Sequence, residues 1–163
     1  QIGVMRKKSK YRPKGVLINP VAYVLEGMKP VKHHDDYLLT LKIKNHDALT
    51  ALTQGRAVRW DIDVLINMVN VTEALYRLGF GEDYGDVVKD GLDALLEIGK
   101  RGAQNGRFVV RAQEMTALNT AMELHDAQME LVTIKDMERA IDIVNKEFAQ
   151  GKTKKIVEKG IEK

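Results

Sequence analysis

The sequence predicts an all-α fold, a compact helical bundle of about five to seven helices with flexible basic tails at both ends. Four long segments carry apolar residues at the three- and four-residue spacing that gives a helix one buried face. Short glycine-containing loops separate those segments. With 163 residues, 44% of them hydrophobic, the chain can bury a core of its own. We therefore expect a single helical domain over residues 16–150, between a flexible arm at residues 1–15 and a basic tail at residues 151–163.

The amino-terminal segment contains one short predicted helix. Asn19 followed by Pro20 is typical of a helix start, because proline is well suited to the first helical position. A helix is therefore predicted from Pro20 to about Glu26, where Gly27 and then Pro30 end it.

Residues 37–53 fit two patterns. Alternate residues over 39–43 are apolar, as in a half-buried strand. A helical stripe also runs through Leu38, Leu41, Asn45, Ala48 and Leu52. A strand needs a partner, and residues 108–110 are the one candidate. We therefore favour a helix that breaks near Asn45, restarts there with a cap, and ends at Gly55.

Four helices with one apolar face each make up the rest of the domain. Their expected bounds are Trp60–Leu78, Tyr84 or Asp86 to Gly99–Gly102, Arg111–Val132 and Thr133–Phe148. A loop is expected at residues 104–106, and Thr133 with Asp136 resembles a capping box. The last helix is expected to bury Ile134, Met137, Ile141, Val144 and Phe148. We expect Arg111–Val132 to be the central helix of the bundle.

His125 lies on the apolar stripe of that helix, between Glu123 and Asp126. Bundle metal sites use a Glu three residues before a His, and Glu123 lies two residues before, so the two do not share a face. We interpret His125 as a buried histidine that bonds to a neighbouring helix. Contact with an acid such as Glu73, giving pH-sensitive packing, stays open. Residues 33–36, His-His-Asp-Asp, are interpreted as an exposed helix start, because adjacent residues seldom point at one ion.

The ends of the chain differ in charge from its body. Residues 1–14 carry six cationic residues and no acidic one, and residues 152–163 carry five Lys against two Glu. The two ends together carry +9, whereas the formal net charge of the whole chain is +3, so residues 15–151 carry about −6. Cations on a flexible arm neutralise phosphates, and a tyrosine there can stack on a base. The sequence therefore predicts a nucleic-acid-binding arm, made of Arg6, Lys7, Lys8, Lys10, Tyr11, Arg12 and Lys14.

Several function classes are excluded or have no support. The absence of cysteine excludes disulfides, thiolate zinc sites and cysteine nucleophiles. No apolar run reaches the roughly 20 residues needed to span a bilayer. The glycine-rich turns lack the Lys-Ser/Thr ending of a phosphate loop, and there is no Gly-x-Ser-x-Gly. We therefore predict no catalytic residue, no metal site, no cofactor and no membrane partner, and expect a non-enzymatic protein.

Four segments carry a resemblance: KYRPKG (Lys10–Gly15), LKIKNH (Leu41–His46), EALYRLGFGEDY (Glu73–Tyr84) and MELHDAQMELVTIKDME (Met122–Glu138). They resemble segments of small uncharacterised proteins encoded by phages and prophages of Gram-negative bacteria. The likeness covers about Met5–Glu147 and excludes the Lys-rich tail. It transfers no activity. It implies an accessory, regulatory or host-interfering binder in the cytoplasm of a bacterial host.

These observations lead to two main function hypotheses, and the least favoured third is a metal-dependent enzyme that uses His125 or the pair His33 and His34. The first is an accessory or regulatory protein that binds DNA or RNA, or a partner that handles nucleic acid, through the arm. The alternative is an oligomeric interaction or structural module, either a homodimer or a complex with a host or phage protein. Its contact surface would be the methionine stripe, Met115, Met122, Met129 and Met137.

Overall fold

A computed structural model describes residues 35–81 and 84–151. Within those ranges the chain forms five α-helices and no strand, which confirms the all-α bundle. The helices are α1 (Asp35–Thr53), α2 (Arg59–Arg77), α3 (Gly85–Asn105), α4 (Ala112–Leu131) and α5 (Ile134–Ala149). None of them is long and apolar enough to cross a membrane. The helix expected at 20–26, the basic arm and the Lys-rich tail lie outside the described residues, so their bounds stay predictions.

Helix α2, and not the expected α4, is the central helix of the described bundle. It packs against each of the other four described helices, whereas α5 packs chiefly against α2. Its buried residues occupy most of its circumference: Ile62, Val64, Leu65, Met68, Val69, Val71, Thr72, Ala74 and Leu75. The expectation was wrong because a histidine on an apolar stripe marks a buried face, and does not mark the helix with the most neighbours.

The interior divides into two apolar clusters that share α2 and α4. The larger one joins α1, α2, α3 and the first part of α4 around Leu52, Leu65 and Leu118. The smaller one joins the end of α2 to α5 around Leu75, Met129 and Met137. Three residues of the predicted methionine stripe, Met122, Met129 and Met137, are thus core residues with at most 3% exposure. They are not available to a second chain.

The segment with two possible patterns is a single helix. Helix α1 runs unbroken through Asn45, which is 4% exposed, so the helical stripe is confirmed and the expected break is wrong. The cap preference of asparagine is a weak local effect, and burial of Ala48 and Leu52 on the same face outweighs it. Gly55, at φ 70°, follows the helix end as expected.

Helix α3 continues past its expected end at 99–102 and reaches Asn105. A left-handed Gly106 then ends it. The glycine at position 102 is not a stop signal. A Cβ on Gly102 would lie 2.2 Å from carbons of the Phe108 ring, so the missing side chain lets the following loop fold back onto the helix.

Helix α5 begins as predicted, because Thr133 Oγ1 accepts a bond from the Asp136 backbone N–H at 3.2 Å. The Thr133 backbone N–H donates to Asp136 Oδ2 at 2.9 Å, which completes the capping box. The predicted buried stripe is partly wrong, because Ile141 and Phe148 are exposed. The buried residues are Met137, Ala140 and Val144. A helix packed chiefly on one neighbour buries a narrower face than the full stripe predicts.

Candidate functional site

All seven residues predicted to bind nucleic acid lie outside the described residues. They are Arg6, Lys7, Lys8, Lys10, Tyr11, Arg12 and Lys14. The paired histidines His33 and His34 also lie outside. The described part of the molecule contributes a buried polar cluster, an acidic cleft and an arginine-bearing end of the bundle.

The side chains of Glu123, His125 and Asp126 do not form a common site. Glu123 is exposed, His125 is 2% exposed, and Asp126 accepts a bond from His46 Nε2 of α1 at 2.9 Å. Within residues 35–81 and 84–151, no group of three His, Asp or Glu side chains could hold a metal ion. The sequence did not predict the His46–Asp126 pair, because its members lie 80 residues apart.

The interpretation of His125 as a buried hydrogen-bonding residue is confirmed. Its Nδ1 lies 3.0 Å from Thr72 Oγ1 on α2, so its partner is Thr72 and not Glu73. The Thr72 hydroxyl donates to the Met68 carbonyl oxygen at 2.8 Å, as helical threonines often do. The Thr72 oxygen then accepts from His125, which places the proton of the neutral imidazole on Nδ1. Among the described residues, Nε2 has no hydrogen-bond partner.

Burial lowers the pKa of His125 from 6.5 to about 4, because a charged imidazolium would lose its hydration. The Asp126 carboxylate opposes that shift, and His46 adds to it. At neutral pH the ring is therefore uncharged and cannot act as a cationic contact.

Gln128, one turn after His125, joins α4 to α2 and to the loop after α2. Its Nε2 donates to the carbonyl oxygens of Thr72 at 3.1 Å and Phe80 at 3.0 Å. Both partners are acceptors, so the amide nitrogen has to face them and Oε1 points away. That Oε1 is buried and has no partner among the described residues. The cluster holds helices together and contains no pair of groups suited to proton transfer to a ligand.

An acidic cleft lies between α3 and α4. Its volume is about 350 Å³, and its lining residues are Asp90, Asp93, Ala94, Glu97, Gln113, Glu114 and Ala117. Glu114 is engaged, because both of its oxygens bind the Arg101 guanidinium and one also accepts from the Arg111 backbone N–H. Burial raises the pKa of the Glu114 carboxyl, but these bonds outweigh burial and leave the pKa lowered. The cleft would repel phosphate groups.

The opposite charge is found at one end of the bundle, which we call the loop end. It consists of the α1–α2 loop (54–58), the α3–α4 loop (106–111) and the first turn of α2. Arg56, Arg107 and Arg111 are exposed there, and among the described residues none of them forms a salt bridge. The two loops are in contact, since Arg107 Nη2 lies 3.6 Å from the position a Cβ would take on Gly55.

The loop end also carries the single tryptophan of the chain. Trp60 is 58% exposed, and the Lys44 ammonium lies 5.9 Å from the centre of its ring. Sequence reasoning missed this surface, although a signal exists. Both loops place arginine directly after the glycine that ends a helix, in Gly55-Arg56 and Gly106-Arg107.

The comparisons with known proteins found no family model, no curated protein and no solved structure that matches the chain.

Proposed function

We propose that this chain is a non-enzymatic accessory or regulatory protein of phage type, acting in the cytoplasm of a bacterial host. It binds nucleic acid, or a partner that handles nucleic acid, through its basic amino-terminal arm. The observation that carries this proposal is the charge distribution. Residues 1–14 hold six cations and no acid, while residues 15–151 sum to about −6 once the +9 of the two ends is taken from the total of +3.

Phosphate contact explains such an arrangement. Each Lys or Arg that meets a phosphate releases condensed counterions, so affinity comes from the arm and falls with salt. The acidic body repels the backbone over most of its surface. That repulsion confines the polyanion to the basic segments. Tyr11, between the cations of the arm, can stack on an unpaired base.

The test is the salt dependence of binding to a labelled random oligonucleotide. A full-length variant in which Arg6, Lys7, Lys8, Lys10, Arg12 and Lys14 become Gln removes six charges. With all six in contact, the slope of log K against log[salt] should change by about 4, at roughly 0.7 for each phosphate contact.

The matched control replaces the five lysines of residues 152–163 by Gln, which removes nearly as much charge from the other end. It should retain most of the slope. Binding that is undetectable at low salt, or unchanged in the arm variant, rules the proposal out.

A second candidate is an oligomeric protein-interaction module. The described body leaves Leu131 71% exposed, and an exposed leucine favours contact with another protein where it forms part of a larger apolar patch. Three of the four residues of the methionine stripe, Met122, Met129 and Met137, do not supply that surface, because they lie in the core. Sedimentation over a hundredfold range of about 1–100 μM tests for a homodimer. A Leu131→Asp variant should remove any association, and a monomer at every concentration removes the homodimer.

A further inference from the structure

We infer that the loop end is a second nucleic-acid contact, built into the folded body and specific for single strands. The inference rests on the proposed function and places part of the binding on Arg56, Arg107, Arg111 and Trp60.

Arg56 and Arg107 carry positive charges that no acidic side chain neutralises among the described residues. The Arg56 Nε donates to Gln54 Oε1 at 2.7 Å, a neutral acceptor that leaves the charge uncompensated. The Arg107 side chain lies over Gly55. By contrast, the neighbouring Arg101 is neutralised by Glu114 and also donates to the Val109 carbonyl oxygen. The guanidinium groups of Arg56 and Arg107 can thus meet phosphates, to which they can donate two bonds each, whereas the charge of Arg111 also acts on the Glu114 carboxylate.

The acidic residues near the loop end already have partners within the protein. Asp61 Oδ2 accepts from the Val58 backbone N–H at 2.8 Å and so serves the start of α2. Asp63 lies 4.0 Å from Arg59, and Glu114 is held by Arg101. The cationic loop end therefore adjoins the acidic α3–α4 cleft, and a phosphate backbone is directed onto the loops and away from the cleft.

Trp60 supplies an exposed aromatic surface at the loop end. Trp60 lies in the first turn of α2, four residues after Arg56 in the chain, and its indole, which is 58% exposed, offers a flat apolar surface for an unpaired base. The Lys44 ammonium lies 5.9 Å from the centre of the ring, within reach of a cation–π contact. Bases in a duplex are already stacked on each other, so this arrangement selects single-stranded DNA or RNA.

The experiment uses the emission of Trp60, which is the chain's one tryptophan and therefore reports on this surface alone. Full-length protein is titrated with oligo(dT), oligo(U) and a duplex, each of about 20 nucleotides per strand. We expect saturable quenching by a single strand and little by the duplex. Quenching by only one of the two single strands would show which of them the loop end prefers.

The key variant combines Arg56→Gln, Arg107→Gln and Arg111→Gln. Affinity for the single strand should fall about tenfold or more at low salt, and the salt slope by about 2, at 0.7 for each contact. The matched control, Lys89→Gln with Lys135→Gln and Arg139→Gln, removes three exposed helix charges that form no salt bridge among the described residues. It should change affinity by no more than about twofold. Circular dichroism checks that both variants fold.

The outcomes separate this inference from the proposed function. If the arm variant loses affinity while saturating single strands never quench Trp60, the arm binds nucleic acid and the loop end does not. If the control weakens binding as much as the loop-end variant, general charge is responsible and the inference is overturned. If polyglutamate quenches Trp60 and oligonucleotides do not, the surface fits an acidic protein and the inference is again overturned.

Discussion

A histidine enclosed in an apolar interior makes the stability of this fold sensitive to acid. The His125 pKa is about 4 in the folded chain, below its ordinary value of 6.5, so the unfolded chain takes up the proton first. The contribution of the neutral His125 ring to the free energy of unfolding is fully present above pH 6.5 and is lost as the pH falls from there toward 4. The full difference between the unfolded and folded pKa values of His125 corresponds to about 3 kcal/mol of unfolding free energy.

Urea unfolding of the wild type and of His125→Gln at several pH values from 7 to 4 measures this effect. The variant should show a shallower loss of stability on acidification, and the difference between the two curves is the His125 contribution. Parallel curves would show that His125 does not titrate differently in the folded and unfolded chains.

The Thr72 hydroxyl is the partner that makes burial of the ring tolerable. Thr72→Val keeps the shape of the side chain and leaves Nδ1 unpaired in the core, which should cost about 1–3 kcal/mol. Thr120→Val is the control, because Thr120 bonds its own helix in the same way but is exposed. Unfolding free energies should separate the two variants clearly, and equal values would contradict the role of Thr72.

The sequence could predict that His125 is buried and hydrogen-bonded to another helix, but not which residue accepts its hydrogen bond. The periodicity of α4 defines its buried face. Thr72 lies 53 residues away, and its position depends on how α2 and α4 pack against each other. The same limit applies to the His46–Asp126 pair and to the contact between the two arginine-bearing loops.

At the scale of an element, the carboxyl end of α3 depends on a missing side chain. Gly→Ala in a helix normally stabilises by up to about 1 kcal/mol. Gly102→Ala should instead destabilise by about 1–3 kcal/mol, because the new Cβ overlaps the Phe108 ring. In a Phe108→Ala background the same change should be neutral or stabilising. A double-mutant cycle from thermal unfolding measures the coupling, and additive values would contradict this packing.

The start of α5 is set by two residues that act together. Thr133→Ala and Asp136→Ala should each cost about 1 kcal/mol, the usual size of a cap effect. The double variant should cost less than the sum, since each side chain loses its partner when the other is removed. Thr116→Ala, at an exposed position inside α4, is the control for loss of a threonine. Strict additivity in denaturant unfolding would show that the box does not act as a unit.

Element boundaries were predictable where a side chain acts locally and not where packing decides. The Thr133 cap and the end of α1 at Gly55 follow from the chemistry of one or two residues. The uninterrupted path of α1 through Asn45 and the extension of α3 past Gly102 depend on contacts with distant segments. The free energy of a local conformational preference is small compared with the free energy gained by burying side chains in such contacts.

At the scale of the whole molecule, local stability against opening should be highest in α2 and lower in the helices around it. Amides of α2 between Met68 and Leu75 are expected to exchange slowest, because all the other described helices pack against α2 and most side chains of this stretch are buried. Those of α5 should exchange faster through local opening, since α5 is held chiefly by one neighbour. Hydrogen-exchange mass spectrometry of the native protein measures this order. Equal protection of α2 and α5 would show that the bundle opens only as one unit.

The Thr72–His125 bond also fixes the alignment of two helices along their axes. Apolar surfaces are tolerant of sliding, and a shift of α4 by one turn, about 5.4 Å, would still present apolar residues to α2. Such a shift would separate Nδ1 from Oγ1 and the Gln128 amide from the Thr72 and Phe80 carbonyls. Several polar groups would then lie unpaired in the interior. Through these bonds the polar cluster makes one register of α2 and α4 more stable than the adjacent registers. That register also determines how the loops of the loop end are positioned relative to each other.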